Sequence, residues 1–168
     1  MEANALRARC EAVLADVYVP QPFDLGEFAE HIGNRRGRPI LLLPIAMPPQ
    51  SPSGMWIHGE RCDAIAYEQA TTPLHQNHIA LHEIGHLLCG HQAGDDLDDR
   101  HLRRLFPSLD TALVHRMLAR TSYSTDEEQE AEMLASLILQ RSGPPSAVPA
   151  PQASPAATQI LRRLESSL

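Results

Sequence analysis

Leu81-His82-Glu83-Ile84-Gly85-His86-Leu87-Leu88-Cys89-Gly90 is the stretch from which the rest of this chain can be placed. Residues four apart on a helix share a face, so the imidazoles of His82 and His86 can converge on one metal ion. Glu83 lies one helical step round, too offset for easy ligation but placed to take a proton from a water held by the ion. That is the geometry of a hydrolase. The helix is predicted without the motif: Thr72 can cap it, Pro73 fits its first position, and Gly90 supplies a left-handed stop after about seventeen residues. Leu81, Ile84 and Leu88 form the stripe that faces a core. Gly85 inside a helix costs about 1 kcal/mol relative to Ala, which predicts a close neighbour at the motif, a strand or a substrate backbone.

Upstream of this helix, Leu6, Cys10, Val13 and Leu14 recur at helical spacing over about residues 4 to 15. After Pro20 and Pro22, Asp24 can cap a second helix running to about Ile32, with Phe23 and Phe28 as a hydrophobic staple, and a loop from Gly33 to Arg38 ends it. Arg35, Arg36 and Arg38 read as a solvated basic patch on that loop. Three apolar runs follow as strands: residues 39 to 45, 54 to 58 and 64 to 67, the last two joined as a hairpin through Gly59-Glu60-Arg61. A small three-stranded sheet packed on the metal helix would supply a core and an edge along which an extended peptide can lie.

Downstream, Asp95, Asp96, Asp98 and Asp99 lack the spacing of a calcium loop and read as a solvated helix start, with short helices over 101 to 109 and 111 to 119. Ser124 or Thr125 can cap the next helix, closed by Glu127 or Glu128 three residues on, and Ala131, Leu134, Ala135 and Ile138 form its apolar face. From Ser142 the composition changes to Pro, Ala and Ser. The expected organisation is an α+β domain over 1–141, a linker over 142–158, and a short helix or disordered tail over 159–168.

A chain of 168 residues is one domain's worth and can bury roughly two-thirds of its unfolded surface without staples. Its formal charge of −7 argues against direct nucleic-acid binding, which needs a basic stripe. Cys10, Cys62 and Cys89 are odd in number and widely spaced, so neither a disulfide framework nor a zinc knuckle is expected. The N-terminus shows no signal-peptide pattern and the chain no membrane-length apolar run; the expected location is the cytoplasm.

A catalytic zinc takes three protein ligands and one water, so a third ligand is needed besides His82 and His86. His78 would make three side chains of one helix wrap the ion from nearly one side, a poor tetrahedral arrangement; an acid from 127 to 132 on a separate helix closes the site better, and the helical wheel allows Glu127 or Glu128. Tyr123, His115 and His91 are candidates for oxyanion stabilisation.

The Gly-x-Trp and Ile-Ala-Tyr strands, the His-Glu-Ile-Gly-His-Leu-Leu-Cys-Gly-His helix and the later Glu128-Gln129-Glu130-Ala131-Glu132-Met133-Leu134-Ala135 helix together resemble the ImmA/IrrE family of zinc metallopeptidases, within the gluzincins. The likeness covers residues 54 to 140. It implies a zincin-like fold, Zn²⁺ on His82, His86 and Glu128, and Glu83 as general base. It also implies a setting: a bacterial regulator or toxin component beside a DNA-binding repressor, which it relieves by cutting a peptide bond in that partner protein. A module of another class, holding metal and binding a partner without hydrolysis, is the alternative that the same residues permit.

Overall fold

The computed structural model describes residues 3–47, 50–59, 61–91, 94–97 and 123–143. The expected helices over 101–109 and 111–119, His115, Asp98 and Asp99, the linker beyond residue 143 and the C-terminal helix lie outside these residues. The described elements are α1 (Ala3–Val13), α2 (Leu25–Arg36), β1 (Ile40–Ile45), β2 (Gly54–Gly59), β3 (Asp63–Glu68), α3 (Pro73–Cys89), β4 (Gly94–Leu97) and α4 (Thr125–Arg141). This is a mixed α+β arrangement, and among the described residues no helix is long and apolar enough to cross a membrane.

Among the described residues the sheet has four strands in the order β1-β3-β2-β4 rather than the expected three. β2 and β3 form the antiparallel hairpin, with Trp56 opposite Ile65, and β1 runs parallel to β3, with Leu42 opposite Ile65. β4 pairs in parallel with the far half of β2, Ile57 against Gly94 and Gly59 against Leu97. The helix start expected around Asp95 and Asp96 is therefore an edge strand instead. Gly94-Asp95-Asp96-Leu97 has no apolar alternation to announce it; what recruits it is the unpaired backbone edge of β2.

Alternation along the strands sends Ile40, Leu42, Trp56, Ile65 and Tyr67 into one apolar cluster with side chains of the four described helices. β3 is central and buried from Asp63 to Tyr67. The punctuation of α3 is as its sequence implies: Thr72 accepts from the His75 N–H, Pro73 opens the helix, and Gly90 closes it at φ 70°. In α2, Asp24 caps the Glu27 N–H and the staple rings Phe23 and Phe28 stand 6.0 Å apart.

The end of α2 differs from the reading of its sequence. The helix passes through Gly33 and stops only at Gly37, which takes the left-handed conformation at φ 66°. Gly33 serves packing instead: a Cβ there would lie 3.0 Å from the Arg38 carbonyl oxygen and 3.2 Å from the Ile40 nitrogen. Arg35 and Arg36 are exposed, as expected of a solvated patch, but they and the half-buried Arg38 also make tertiary contacts. Arg36 reaches the fully buried Asp63 at 2.5 Å, where Arg38 at 3.5 Å, the His58 Nδ1 at 2.8 Å and the Trp56 indole N–H at 3.3 Å also converge. Arg35 donates to the Asp16 carbonyl. Burial alone would raise the Asp63 carboxyl, but the Arg36 hydrogen bond and charge, with His58 and Trp56, hold it below its ordinary value.

Candidate metal centre

Helix α3 carries His82 and His86 one turn apart, with ring centroids 4.8 Å apart and their Nε2 atoms separated by 3.1 Å. Helix α4 crosses α3 at Gly85. A Cβ on that glycine would meet the Ala131 carbonyl oxygen at 3.0 Å and its Cα at 3.1 Å, so the close neighbour implied by Gly85 is the backbone of a second helix rather than a strand. This approach delivers Glu128, one turn before Ala131, to the histidines. Its Oε2 lies 3.1 Å from His82 Nε2 and its Oε1 3.9 Å from His86 Nε2. One ligand atom from each of His82, His86 and Glu128 thus falls within 4.8 Å of the others.

Proton accounting indicates what this group accommodates. The other nitrogen of His86, Nδ1, faces His91 at 2.9 Å, and Nδ1 of His82 faces Glu132 at 3.5 Å. With their protons on those outer nitrogens, both Nε2 atoms present lone pairs to each other and to a carboxylate. In that tautomer three acceptor atoms converge, an arrangement that a cation satisfies. Burial, then the neighbouring His82 and His91, pushes the His86 imidazole down to about 3, so the ring stays neutral and its lone pair available.

Glu83 is buried with its carboxylate against the start of β2. A Cβ on Gly54 would stand 2.8 Å from Glu83 Oε1 and 2.6 Å from Ile79 Cγ2, so the strand approaches this closely because residue 54 has no side chain. Burial and the nearby Glu128 charge push the Glu83 carboxyl up to about 8, against a hydrogen bond from the Trp56 backbone. A carboxylate tuned in this way can both accept and return a proton near neutral pH. The ring of Tyr123 stacks on His86, centroids 3.5 Å apart and planes within 14°. Its hydroxyl is buried and has no hydrogen-bond partner among the described residues; burial, then Glu83 and Glu128, raises its pKa. Ser53, Gly54, Glu83, Tyr123 and the three candidate ligands border one cleft of about 300 Å³.

No known family model matches the chain, and no curated protein matches it. Its site is read from its own geometry. His82, Glu83, His86 and Glu128 come together in the cleft. Glu127 does not join them, because its carboxylate accepts from the Ser124 N–H at 2.7 Å in a capping box. His78 pairs with Glu132 at 3.1 Å, one turn away from the converging atoms. Of the oxyanion candidates, Tyr123 borders the cleft, whereas His91 is buried behind His86 and contacts its Nδ1. Glu130 was not singled out from sequence, yet it is buried and engaged by both Arg9 and His91. Arg9 lies 121 positions away, so no local pattern marks the acid as internal.

Proposed function

We propose that this chain is a zinc-dependent metalloendopeptidase of the ImmA/IrrE kind, holding Zn²⁺ on His82, His86 and Glu128 and cutting a peptide bond in a partner protein. The observation that carries the proposal is the convergence of two imidazole nitrogens and a carboxylate oxygen from two helices, beside a separate buried carboxylate. Two imidazoles with one carboxylate suit zinc, and three protein ligands are the set that leaves a catalytic position open. When bound, the zinc supplies Lewis acidity and lowers the pKa of the water it holds to about 7.

The chain's own residues divide the remaining work. Glu83 takes the proton from the attacking water and returns it to the leaving amine; its raised pKa strengthens it as a base for the first half of that cycle. Gly54 and the Trp56 N–H fix its carboxylate on one side of the cleft. The Tyr123 hydroxyl, buried and unpartnered among the described residues, is the donor available to a developing oxyanion.

The same cleft suits an extended backbone. The described pairing of β4 with β2 begins at Ile57, and Ser53 and Gly54 before it border the cleft, so a peptide laid there can add to the sheet edge. The resemblance to ImmA/IrrE makes a DNA-binding repressor the class of target, cut in the cytoplasm within a loop or unfolded segment. The test is incubation of the zinc-loaded protein with unfolded polypeptide and with a neighbouring repressor, with and without chelator, followed by mass spectrometry. Discrete fragments that disappear with chelator and with Glu83→Gln are expected. A zinc-loaded protein that binds the repressor and leaves every substrate intact would replace this reading with a non-catalytic binding module.

A further inference from the structure

Behind the converging ligand atoms runs a second line of polar side chains that the chemistry above does not use. After the Gly90 stop the chain turns back, the His91 N–H donates to the His86 carbonyl at 3.1 Å, and the His91 ring is buried beside His86. Nδ1 of His91 lies 2.9 Å from Nδ1 of His86, and its Nε2 lies 3.0 Å from Glu130 Oε2. Glu130 in turn receives the Nε and Nη2 of Arg9 at 2.6 and 2.5 Å.

Each link has one proton assignment when Nε2 of His86 is a ligand. Nδ1 of His86 then carries the proton and donates it to His91. His91 must accept at Nδ1, so its own proton sits on Nε2 and is donated to Glu130. Glu130 stays ionised because Arg9 and His91 outweigh its burial. Cys89, His91 and Glu130 also bring ligand atoms within 4.8 Å of one another, but both carboxylate oxygens are bonded to Arg9.

We propose that His91, Glu130 and Arg9 form a positioning chain that fixes the ring orientation and tautomer of His86 for metal binding, and so makes α1 part of the metal centre. The inference rests on the reading of His82, His86 and Glu128 as a metal site. A histidine whose outer nitrogen is unheld can rotate and place its proton on the ligating nitrogen; a fixed acceptor prevents both and increases the ligand's basicity.

The test uses the full chain. His91→Phe keeps a ring and removes both nitrogens, whereas His91→Gln restores one acceptor and one donor. Zinc affinity is measured by competition with a chromogenic chelator, the ligand field by the visible bands of the cobalt(II) form, and packing by thermal unfolding of the metal-free protein. His91→Phe is expected to weaken zinc binding by on the order of 10- to 100-fold and to shift the cobalt bands, with His91→Gln recovering most of the affinity. Wild-type affinity in His91→Phe overturns the proposal, as does an equal loss in both variants that tracks lost stability of the metal-free protein. If His91→Phe fails to fold, Arg9→Met carries the test, since Arg9 is 55 % exposed and Met keeps an aliphatic stem there, with thermal unfolding of the metal-free variant as its control; unchanged zinc affinity there overturns the chain. A wild-type protein that binds neither metal removes the metal site itself, and this proposal with it. Wild-type binding that His82→Ala abolishes and His91→Phe leaves untouched removes only the positioning chain.

Discussion

Gly85→Ala puts one methyl group into the closest approach between α3 and α4. The new Cβ would lie 3.0 Å from the Ala131 carbonyl oxygen, 3.1 Å from Ala131 Cα and 3.4 Å from its carbonyl carbon. Comfortable carbon contacts are about 3.5–4.0 Å, so α4 must retreat by about half an ångström. The obstacle is helix backbone and not a side-chain end, so no rotamer change relieves it. Overpacking of this kind costs about 1–3 kcal/mol, against which alanine returns about 1 kcal/mol of helix propensity; the metal-free protein should lose up to about 2 kcal/mol. Glu128, one turn before Ala131, moves with α4 and opens its 3.1 Å approach to His82. A site held looser by about half an ångström should bind zinc on the order of tenfold more weakly. Urea unfolding of the metal-free protein reads the first effect and chelator competition the second. A variant about 1 kcal/mol more stable than wild type, with unchanged zinc affinity, would show that only helix propensity was altered and that the two helices do not meet at Gly85.

Four further substitutions each test a single assigned role. Glu83→Gln should keep zinc and lose hydrolysis by on the order of 10² to 10⁴-fold, because the amide cannot accept the proton; loss of zinc would make Glu83 a ligand. Glu128→Ala should cost most of the zinc affinity, while Glu127→Ala should cost only its capping contribution, about 1 kcal/mol by thermal unfolding; the reverse pattern would exchange the two assignments. Asp63→Asn should destabilise the fold by on the order of 3 kcal/mol at neutral pH, since it removes the charge that Arg36 meets in a buried site. The folded pKa of Asp63 lies below its unfolded value, so its stabilisation is complete above the ordinary carboxylate range and is lost as pH falls through the lower folded value. Acid unfolding curves of wild type and Asp63→Asn should therefore converge toward low pH; a constant gap between them would contradict the ion pair.

The parts of the fold legible in sequence are those whose signals are local. Thr72, Pro73 and Gly90 delimit α3 because each satisfies a helix-terminal backbone group, and Ser124 with Glu127 does so for α4. His82, Glu83 and His86 follow from helical periodicity alone. The third acid did not: the wheel admits Glu127 and Glu128 equally, and only the capping box, which occupies Glu127, separates them in the structure. Gly33 and Gly85 each mark a close backbone approach, but sequence cannot say what approaches; in α2 the glycine was read as a stop when its reason is the returning chain at Arg38. β4 and Glu130 were illegible for a shared physical reason. An acidic tetrapeptide becomes a strand by pairing with the edge of β2, and an acid becomes internal by meeting Arg9 and His91, and both partners are distant in the chain.

The central claim is that His82, His86 and Glu128 hold one zinc ion. X-ray absorption at the zinc edge, combined with elemental analysis of the purified chain, tests it most directly. The account predicts one zinc per chain with two imidazole nitrogens and carboxylate or water oxygens at about 2.0–2.2 Å and no sulfur at about 2.3 Å, lost in both His82→Ala and His86→Ala. Zinc bound through sulfur, or retained at full stoichiometry in both variants, would contradict it.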